Sequence, residues 1–297
     1  MARMFPGRVT SLHSLSWAIT ENSCRVVVQG WEPGIGVIMQ GRKMYAFAAC
    51  CLGALILACS AGAFLSDDGT WRVHDMNRPQ PPVVRAGTPS SEHGVGDAPS
   101  DALVLFDGTS LEAWTGKNDT PPWDIVDGAV VVAPGSGDMT TREVFDDIQY
   151  HMEWMVPADR KTSGQKGGNS GLFLMDRYEI QILDSHENKT YADGMAGSFY
   201  GQHPPAVNPA RPKGTWNTYD IIFRAPRWDS EGALISPARA TVFFNGVMVH
   251  DNQTFEGPTE PWKKNTPHGP AAIRLQDHDD PIHFRNIWVR KLNPRAQ

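Results

Sequence analysis

The stretch RYEIQIL, residues 177–183, alternates polar and apolar residues. Strict alternation is typical of a half-buried β-strand, because successive side chains point to opposite faces of the sheet. One face of this strand carries Glu179 and Gln181, two residues apart, and Asp184 follows at the strand end. Carboxylates can transfer protons, and amides can bind hydroxyl groups. The polar face is therefore a candidate for chemistry on a sugar.

A second polar row lies in the stretch IRLQDH, where Arg274, Gln276 and His278 are in phase. A third row contains His283 and Arg285. If the apolar residues between these positions face the core, we expect the polar rows to face the same side of a sheet. A solvated outer face is the alternative interpretation of each row.

Two further patterns have weaker functional interpretations. Asp277, Asp279 and Asp280 have oxygen spacing that could hold Ca²⁺, although aspartates are also common in turns. We therefore predict no cofactor, with Ca²⁺ as the open alternative. His151 and Glu153 share one face of another strand and are a second, weaker candidate pair.

The composition excludes some classes of protein. The chain has 297 residues and a formal net charge of -6, without a basic run interleaved with aromatic residues, so we do not expect it to bind nucleic acid. All four cysteines lie within the first 59 residues. The rest of the chain therefore has no disulfide, thiolate metal site or cysteine nucleophile.

The N-terminal part resembles a targeting segment. A basic pair precedes 22 uncharged residues at 44–65, as in secretory signals. The sequence ILACS resembles a bacterial lipobox, in which Cys59 would be lipidated. Cleavage after residue 63 and an uncleaved membrane anchor are the alternatives. We therefore expect an exported protein of a bacterial cell envelope, held at the membrane by a lipid or the signal itself.

We divide the chain into three parts. Residues 1–65 form an N-terminal extension plus the signal, and residues 1–38 are either a gene-start error or an unusual extension. Residues 66–100 are rich in Pro, Gly and Ser and lack apolar periodicity, which predicts a linker that acts as a tether. Residues 101–293 form the folded domain.

The sequence of the folded domain predicts a series of strands. Short apolar segments are separated by turn signals, including Asp127-Gly128 and Asn245-Gly246 between apolar runs, which are hairpin signals. There is no long segment with helical periodicity. The pattern predicts an all-β fold, a jelly-roll β-sandwich of two antiparallel sheets with few short helices.

Five segments in order resemble the 3-keto-disaccharide hydrolase domain family, and together they cover nearly the whole folded domain. They are LFDGTSLEAWTG, GNSGLFLMDRYEIQILDS, GTWNTYDIIFR, VFFNGVMV and IRLQDHDDPIHFRNIWVRKL. The family is similar in fold to concanavalin A-like lectins and glucanases, so the resemblance implies the same sandwich. Glucanases of this fold carry a second acid four residues after the first. Here that position is Leu183, so a retaining mechanism with two carboxylates on this strand is not expected.

The resemblance implies an enzyme, a hydrolase or lyase acting on oxidised 3-keto glycosides. A ketone at C3 acidifies the proton on C2, so a base can remove it, the C1 substituent can leave, and water can add. Glu179 and His278 are expected to act as base and acid in either order, with Asp184 orienting a partner. Gln181 and Arg285 are expected to support the keto oxygen. The remaining substrate-binding candidates are Arg274, Gln276 and Asn169.

A non-catalytic, lectin-like carbohydrate-binding module at the cell surface is the alternative function. Ionisable groups outnumber aromatic residues in the polar rows, which favours an enzyme over a lectin. No protein partner can be identified from the sequence.

Overall fold

A computed structural model describes residues 71–72 and 74–292, together with the backbone of four strands between residues 16 and 45. The chain divides into two compact units, Met1–Gln80 and Pro81–Gln297. Each unit is considered separately below.

The first unit contains a four-stranded antiparallel sheet in the order β1-β2-β3-β4. We saw no periodicity in residues 1–38, so the sequence did not predict these strands. The apolar run beyond Tyr45, with Cys59, lies outside the described residues, and the lipidation hypothesis stays a prediction. Within the described part of the chain, no helix has the length and hydropathy needed to cross a membrane. The strands are β1 (Ser16–Thr20), β2 (Ser23–Val27), β3 (Val37–Gln40) and β4 (Lys43–Tyr45).

The second unit is built from fifteen strands and three single-turn 3₁₀ helices in its described residues. The helices span Lys117–Asp119, Gly164–Lys166 and Ala192–Gly194. The strands are β5 (Leu103–Phe106), β6 (Trp114–Thr115), β7 (Asp124–Val126), β8 (Ala129–Val131), β9 (Met139–Thr141), β10 (Ile148–Met155), β11 (Ser170–Leu174), β12 (Tyr178–Ile182), β13 (Asn217–Arg224), β14 (Arg227–Trp228), β15 (Leu234–Ser236), β16 (Arg239–Phe244), β17 (Val247–Thr254), β18 (Arg274–Leu275) and β19 (His283–Lys291).

Two antiparallel sheets form the body of this unit. The larger sheet has eight strands in the order β17-β16-β13-β10-β19-β8-β7, with β5 also paired to β19. The smaller sheet has five strands in the order β12-β11-β18-β9-β6. Both contribute to one hydrophobic core, for example Tyr150 and Trp154 from the larger sheet and Leu172 and Ile180 from the smaller. The predicted all-β sandwich of two antiparallel sheets is confirmed.

Strand alternation decides which side chains reach the core. Along β10 the residues Ile148, Tyr150, Met152 and Trp154 are all buried in the core. The intervening positions therefore face outward from the sandwich. This arrangement leaves each sheet an outer face on which polar groups can be displayed.

The two hairpin signals form the turns that the sequence indicates. Asp127 and Gly128 join β7 to β8 with φ values of 50° and 75°, and Asn245 and Gly246 join β16 to β17 with values of 50° and 76°. Two successive positive φ values match the turn type whose twist suits a two-residue hairpin, which is why Asp-Gly and Asn-Gly are favoured there.

The C-terminal part of the expected tether is folded onto the sandwich. Residues 87–99, which we call the strap, hydrogen-bond internally through Thr88 N–H to the Asp97 carbonyl (2.9 Å). Arg285 Nη2 donates to the Ser91 carbonyl (2.6 Å), and Asn286 Nδ2 donates to Ser90 Oγ (3.1 Å). Polar groups in this stretch of the predicted linker therefore have hydrogen-bond partners on the larger sheet.

Candidate active site

The outer face of the smaller sheet aligns the first two polar rows. Glu179 on β12 pairs with Phe173 on β11, and Phe173 pairs with Arg274 on β18. One step along, Gln181 pairs with Gly171, whose carbonyl accepts from the backbone N–H of Gln276 at 3.0 Å. Side chains on these three strands are in phase, and two strand spacings separate the outer strands by about 10 Å. We call this surface the three-strand face.

Glu179 is buried on this face, with 5% of its surface exposed. Burial raises the pKa of its carboxyl to about 8, and the negative charges of Glu260 and Asp138 act in the same direction, while Arg274 opposes them. Burial disfavours the charged form of a carboxyl group, so Glu179 is mainly protonated at neutral pH. A strongly perturbed carboxyl on a polar surface is typical of catalytic acids and bases.

Gly171 makes room for that carboxyl. A Cβ atom at this position would lie 2.5 Å from Glu179 Oε1 and 2.8 Å from Phe173 Cε2. Both distances are far shorter than side-chain contacts in proteins, so no larger residue fits without displacing its neighbours.

Gln181 connects the carboxyl to the neighbouring backbone. In the amide orientation that satisfies its hydrogen bonds, Nε2 donates to the Ser170 carbonyl (2.8 Å) and to Glu179 Oε1 (3.2 Å). Its amide also lies 3.3 Å from that of Asn169, which donates from Nδ2 to the Gln165 carbonyl (2.8 Å). The structure therefore brings together three of the predicted residues: Glu179, Gln181 and Asn169.

Arg274 is held in place by three carboxylates. It ion-pairs with Asp138 and Asp176, each at 2.5 Å, and with Glu260 at 3.1 Å. Its guanidinium also covers the Phe173 ring, 3.7 Å from the ring centroid. We expected a substrate-binding arginine, but three carboxylates already surround its guanidinium. Arg274 instead positions the loops around the three-strand face and moderates the charge near Glu179.

Arg285 lies on the larger sheet, away from Glu179. Its Nε donates to Glu153 Oε2 at 2.7 Å, and its guanidinium stacks over the Trp216 ring at 4.1 Å from the centroid. The expectation that Arg285 supports the same keto oxygen as Gln181 is therefore corrected. The third polar row belongs to β19, whose outer face is on the opposite side of the core.

The remaining predicted residues lie at the margin of the three-strand face. Asp184 follows β12 and pairs with Lys213 (3.2 Å), beside a cavity of about 360 Å³ that it shares with Lys161 and Asn188. In the described structure Asp184 makes no contact with Glu179, so its expected orienting role is not supported by contacts. His278 is exposed in the loop after β18, two residues beyond the half-buried Gln276.

Two of the aspartates considered as Ca²⁺ ligands hydrogen-bond or ion-pair with other protein groups. Asp277 accepts from the Gly137 N–H (2.9 Å), and Asp280 accepts from the Asn169 N–H (2.7 Å) and pairs with Arg160. In the portion that the structure describes, no cluster of three or more His, Cys, Asp or Glu side chains has metal-binding geometry.

Two aromatic neighbours were not identified from the sequence. The Tyr200 backbone N–H bonds to the Glu179 carbonyl (3.4 Å), and its hydroxyl lies 2.8 Å from that of Tyr191. Trp262 is 73% exposed, between Glu260 and Lys263, which pair with each other at 2.8 Å. Because Glu260 also contacts Arg274, an exposed tryptophan sits in a loop anchored beside the face. Only its exposure distinguishes it, and exposure requires the structure.

The chain belongs to the 3-keto-alpha-glucoside-1,2-lyase-like domain family, whose model matches residues 101–290. A protein of Bacteroides thetaiotaomicron named 3-keto-disaccharide hydrolase is 23% identical over 322 residues, covering 85% of this chain and all of the relative. A crystal structure from Parabacteroides distasonis, described as a candidate glycosyl hydrolase, is 42% identical with a TM-score of 0.70. That match covers 74% of this chain and 95% of the other.

These similarities define the class of protein. The second unit is a glycosyl hydrolase-like, carbohydrate-active domain on a β-sandwich. The family match includes all of the three-strand face, from Asn169 to His278.

The buried carboxyl makes stability depend on pH in a defined direction. The pKa of Glu179 in the folded state, about 8, lies above the ordinary glutamate pKa of 4.5, so the folded state holds this proton more tightly than the unfolded state. The stabilisation is complete below pH 4.5 and is lost as pH rises toward 8. We expect the unfolding free energy of wild type to fall relative to Glu179→Gln over this range, by an amount on the order of a few kcal/mol. Urea denaturation at several pH values measures it, and parallel curves would contradict the buried, protonated carboxyl.

Gly171→Ala tests the close approach to Glu179. The added methyl group must push the carboxyl toward solvent, so we expect a loss of about 1–3 kcal/mol in stability. The pH dependence attributed to Glu179 should also become weaker. Gly269→Ala is the matched control, because a Cβ there meets nothing within 4 Å. Equal stability and unchanged pH dependence in both variants would show that Gly171 does not constrain Glu179.

Proposed function

We propose that the protein cleaves 3-keto glycosides by removing the C2 proton, eliminating the C1 substituent and adding water. The observation that carries this proposal is the buried, protonated carboxyl of Glu179 on a polar face shared with Gln276, with His278 exposed in the loop that follows β18. The family description, a 3-keto-alpha-glucoside-1,2-lyase-like domain, supports the same reaction type.

The chemistry requires proton transfers in both directions. Removal of the C2 proton gives an enolate whose charge rests on the C3 oxygen. The enolate then expels the C1 oxygen, which takes a proton as the C1–O bond breaks and a C1–C2 double bond forms. Addition of water places a hydroxyl on C1 and a proton on C2. The enzyme therefore needs one acid and one base in the correct states at the same pH.

The structure favours one order for the two groups that the sequence left interchangeable. A carboxyl with a pKa of about 8 is protonated at neutral pH, so Glu179 is the acid that protonates the leaving oxygen. An imidazole can accept a proton, so His278 takes the C2 proton. Between the two steps the exposed His278 exchanges that proton with solvent. In the hydration step it donates a solvent-derived proton to C2, and Glu179 takes one from the attacking water.

The neighbouring groups have separate tasks. In the described part of the chain, the Gln276 side chain has no hydrogen-bond partner, so its amide is free to donate to the keto oxygen. It replaces Arg285 in the role expected from the sequence. Gln181 holds the Glu179 carboxyl. Trp262 is placed to stack on the second sugar, since aromatic rings bind the apolar faces of pyranoses.

Export to the cell envelope, with Cys59 as a lipid anchor, is part of the proposed function. It is supported by the lipobox-like sequence ILACS at residues 56–60.

Glu179→Gln and His278→Ala test the assignment. The full chain is incubated with 3-keto-trehalose, 3-keto-lactose and the two parent sugars, while glucose release and enone absorbance are followed. We expect release from the keto sugars alone, and a loss of about 10²–10⁴-fold in each variant. Glu112→Gln and His93→Ala, at exposed positions, are the matched controls and should retain full activity.

Three results would overturn parts of the proposal. Equal release from keto and parent sugars would remove the keto specificity. Full activity in either variant would remove that residue from the mechanism. Binding without release, measured by calorimetry, would favour a lectin-like module.

A further inference from the structure

The larger sheet carries a cavity that the proposed reaction does not use. It has a volume of about 620 Å³ and lies between the strap and the outer face of the sheet. Small-molecule sites in proteins commonly have volumes of this order. The lining residues that bear on its choice of ligand are Trp216, Asp220, Arg285 and Trp288 from the sheet, and Asp97 from the strap.

The cations around this cavity are already paired. Arg285 binds Glu153 at 2.7 Å, His151 binds Asp220 at 2.7 Å, and Arg211 lies 3.6 Å from Glu92.

The two buried partners in these pairs are both charged. Burial lowers the pKa of His151, but Asp220 and Glu153 outweigh it and raise that pKa to about 9. Burial acts to raise the pKa of Glu153, but its hydrogen bonds outweigh this and lower it to about 2. With Asp97 added, the lining carries four carboxylates against three cations, so a phosphate or other anion has no free positive partner.

The groups left available suit a neutral polyhydroxyl ligand. The Asp97 side chain has no hydrogen-bond partner in the described structure, and the Asp220 side chain is 44% exposed beyond its bond to His151. Carboxylate oxygens accept hydrogen bonds from hydroxyl groups, and the half-buried Trp216 supplies an aromatic surface. Aromatic rings beside carboxylates are the combination that binds sugars.

We propose that this cavity is a second saccharide site, which takes a neutral disaccharide independently of Glu179. It lies on the outer face of the larger sheet, whereas the three-strand face belongs to the smaller one. The hydrophobic core separates the two surfaces, so both can be occupied together. This inference does not depend on the reaction proposed for the three-strand face.

Thr218→Phe tests the second site by filling it. Thr218 lines the cavity and makes no side-chain hydrogen bond or ion pair in the described structure, and an aromatic residue suits a strand position. Binding of trehalose and lactose to the full chain is measured by calorimetry. We expect affinity in Thr218→Phe and in Trp216→Ala to fall at least tenfold, with turnover of 3-keto-trehalose unchanged in Thr218→Phe. Phe243→Ala, an exposed aromatic on the same sheet outside the cavity, is the matched control.

Any other result would contradict the proposal of a second saccharide site. No binding of either disaccharide to wild type would show that the cavity holds only water. Equal affinity in wild type and Thr218→Phe would place binding elsewhere. Loss of turnover in Thr218→Phe would make this cavity part of the reaction site, and binding of inorganic phosphate instead of sugar would contradict the charge argument.

Discussion

The candidate site depends on the register between three antiparallel strands. β12, β11 and β18 lie side by side, and their inward residues fill the core while their outward residues share one surface. A shift of one residue in any strand would exchange these two sets of side chains. The strand register that buries the apolar residues in the core also sets which residues face outward. Core packing therefore fixes the positions of Glu179, Gly171 and Gln276.

A buried carboxyl is costly when it is charged, and this site avoids the cost by keeping Glu179 protonated. Arg274 could have stabilised a carboxylate, but Asp138, Asp176 and Glu260 surround its guanidinium. Glu153 on the larger sheet is instead kept charged. Arg285 and Asn286 donate hydrogen bonds to its carboxylate, and its pKa is lowered to about 2. Two buried glutamates in one sandwich thus have opposite ionisation states, and only one can donate a proton at neutral pH.

Much of the fold was accessible from the sequence because alternation and Asp-Gly or Asn-Gly turns are local signals. The same alternation correctly placed Glu179, Gln181, Arg274 and Gln276 on one surface. The expectation that Arg285 shares this surface was wrong, because the alternation of residues along a strand does not show which sheet the strand joins. The space at Gly171 and the folding of the strap depend on contacts between distant segments, so no local pattern contains them.

The most direct test of the account uses 3-keto-trehalose carrying deuterium at C2 of the oxidised ring. If reaction proceeds through C2 deprotonation, wild type releases the deuterium to water and the hydrated product carries solvent hydrogen at C2. Glu179→Gln should still exchange the deuterium while releasing glucose slowly, because it lacks the acid and keeps the base, whereas His278→Ala should do neither. Product that retains its deuterium would contradict elimination, and loss of exchange in Glu179→Gln with retention in His278→Ala would reverse the two roles.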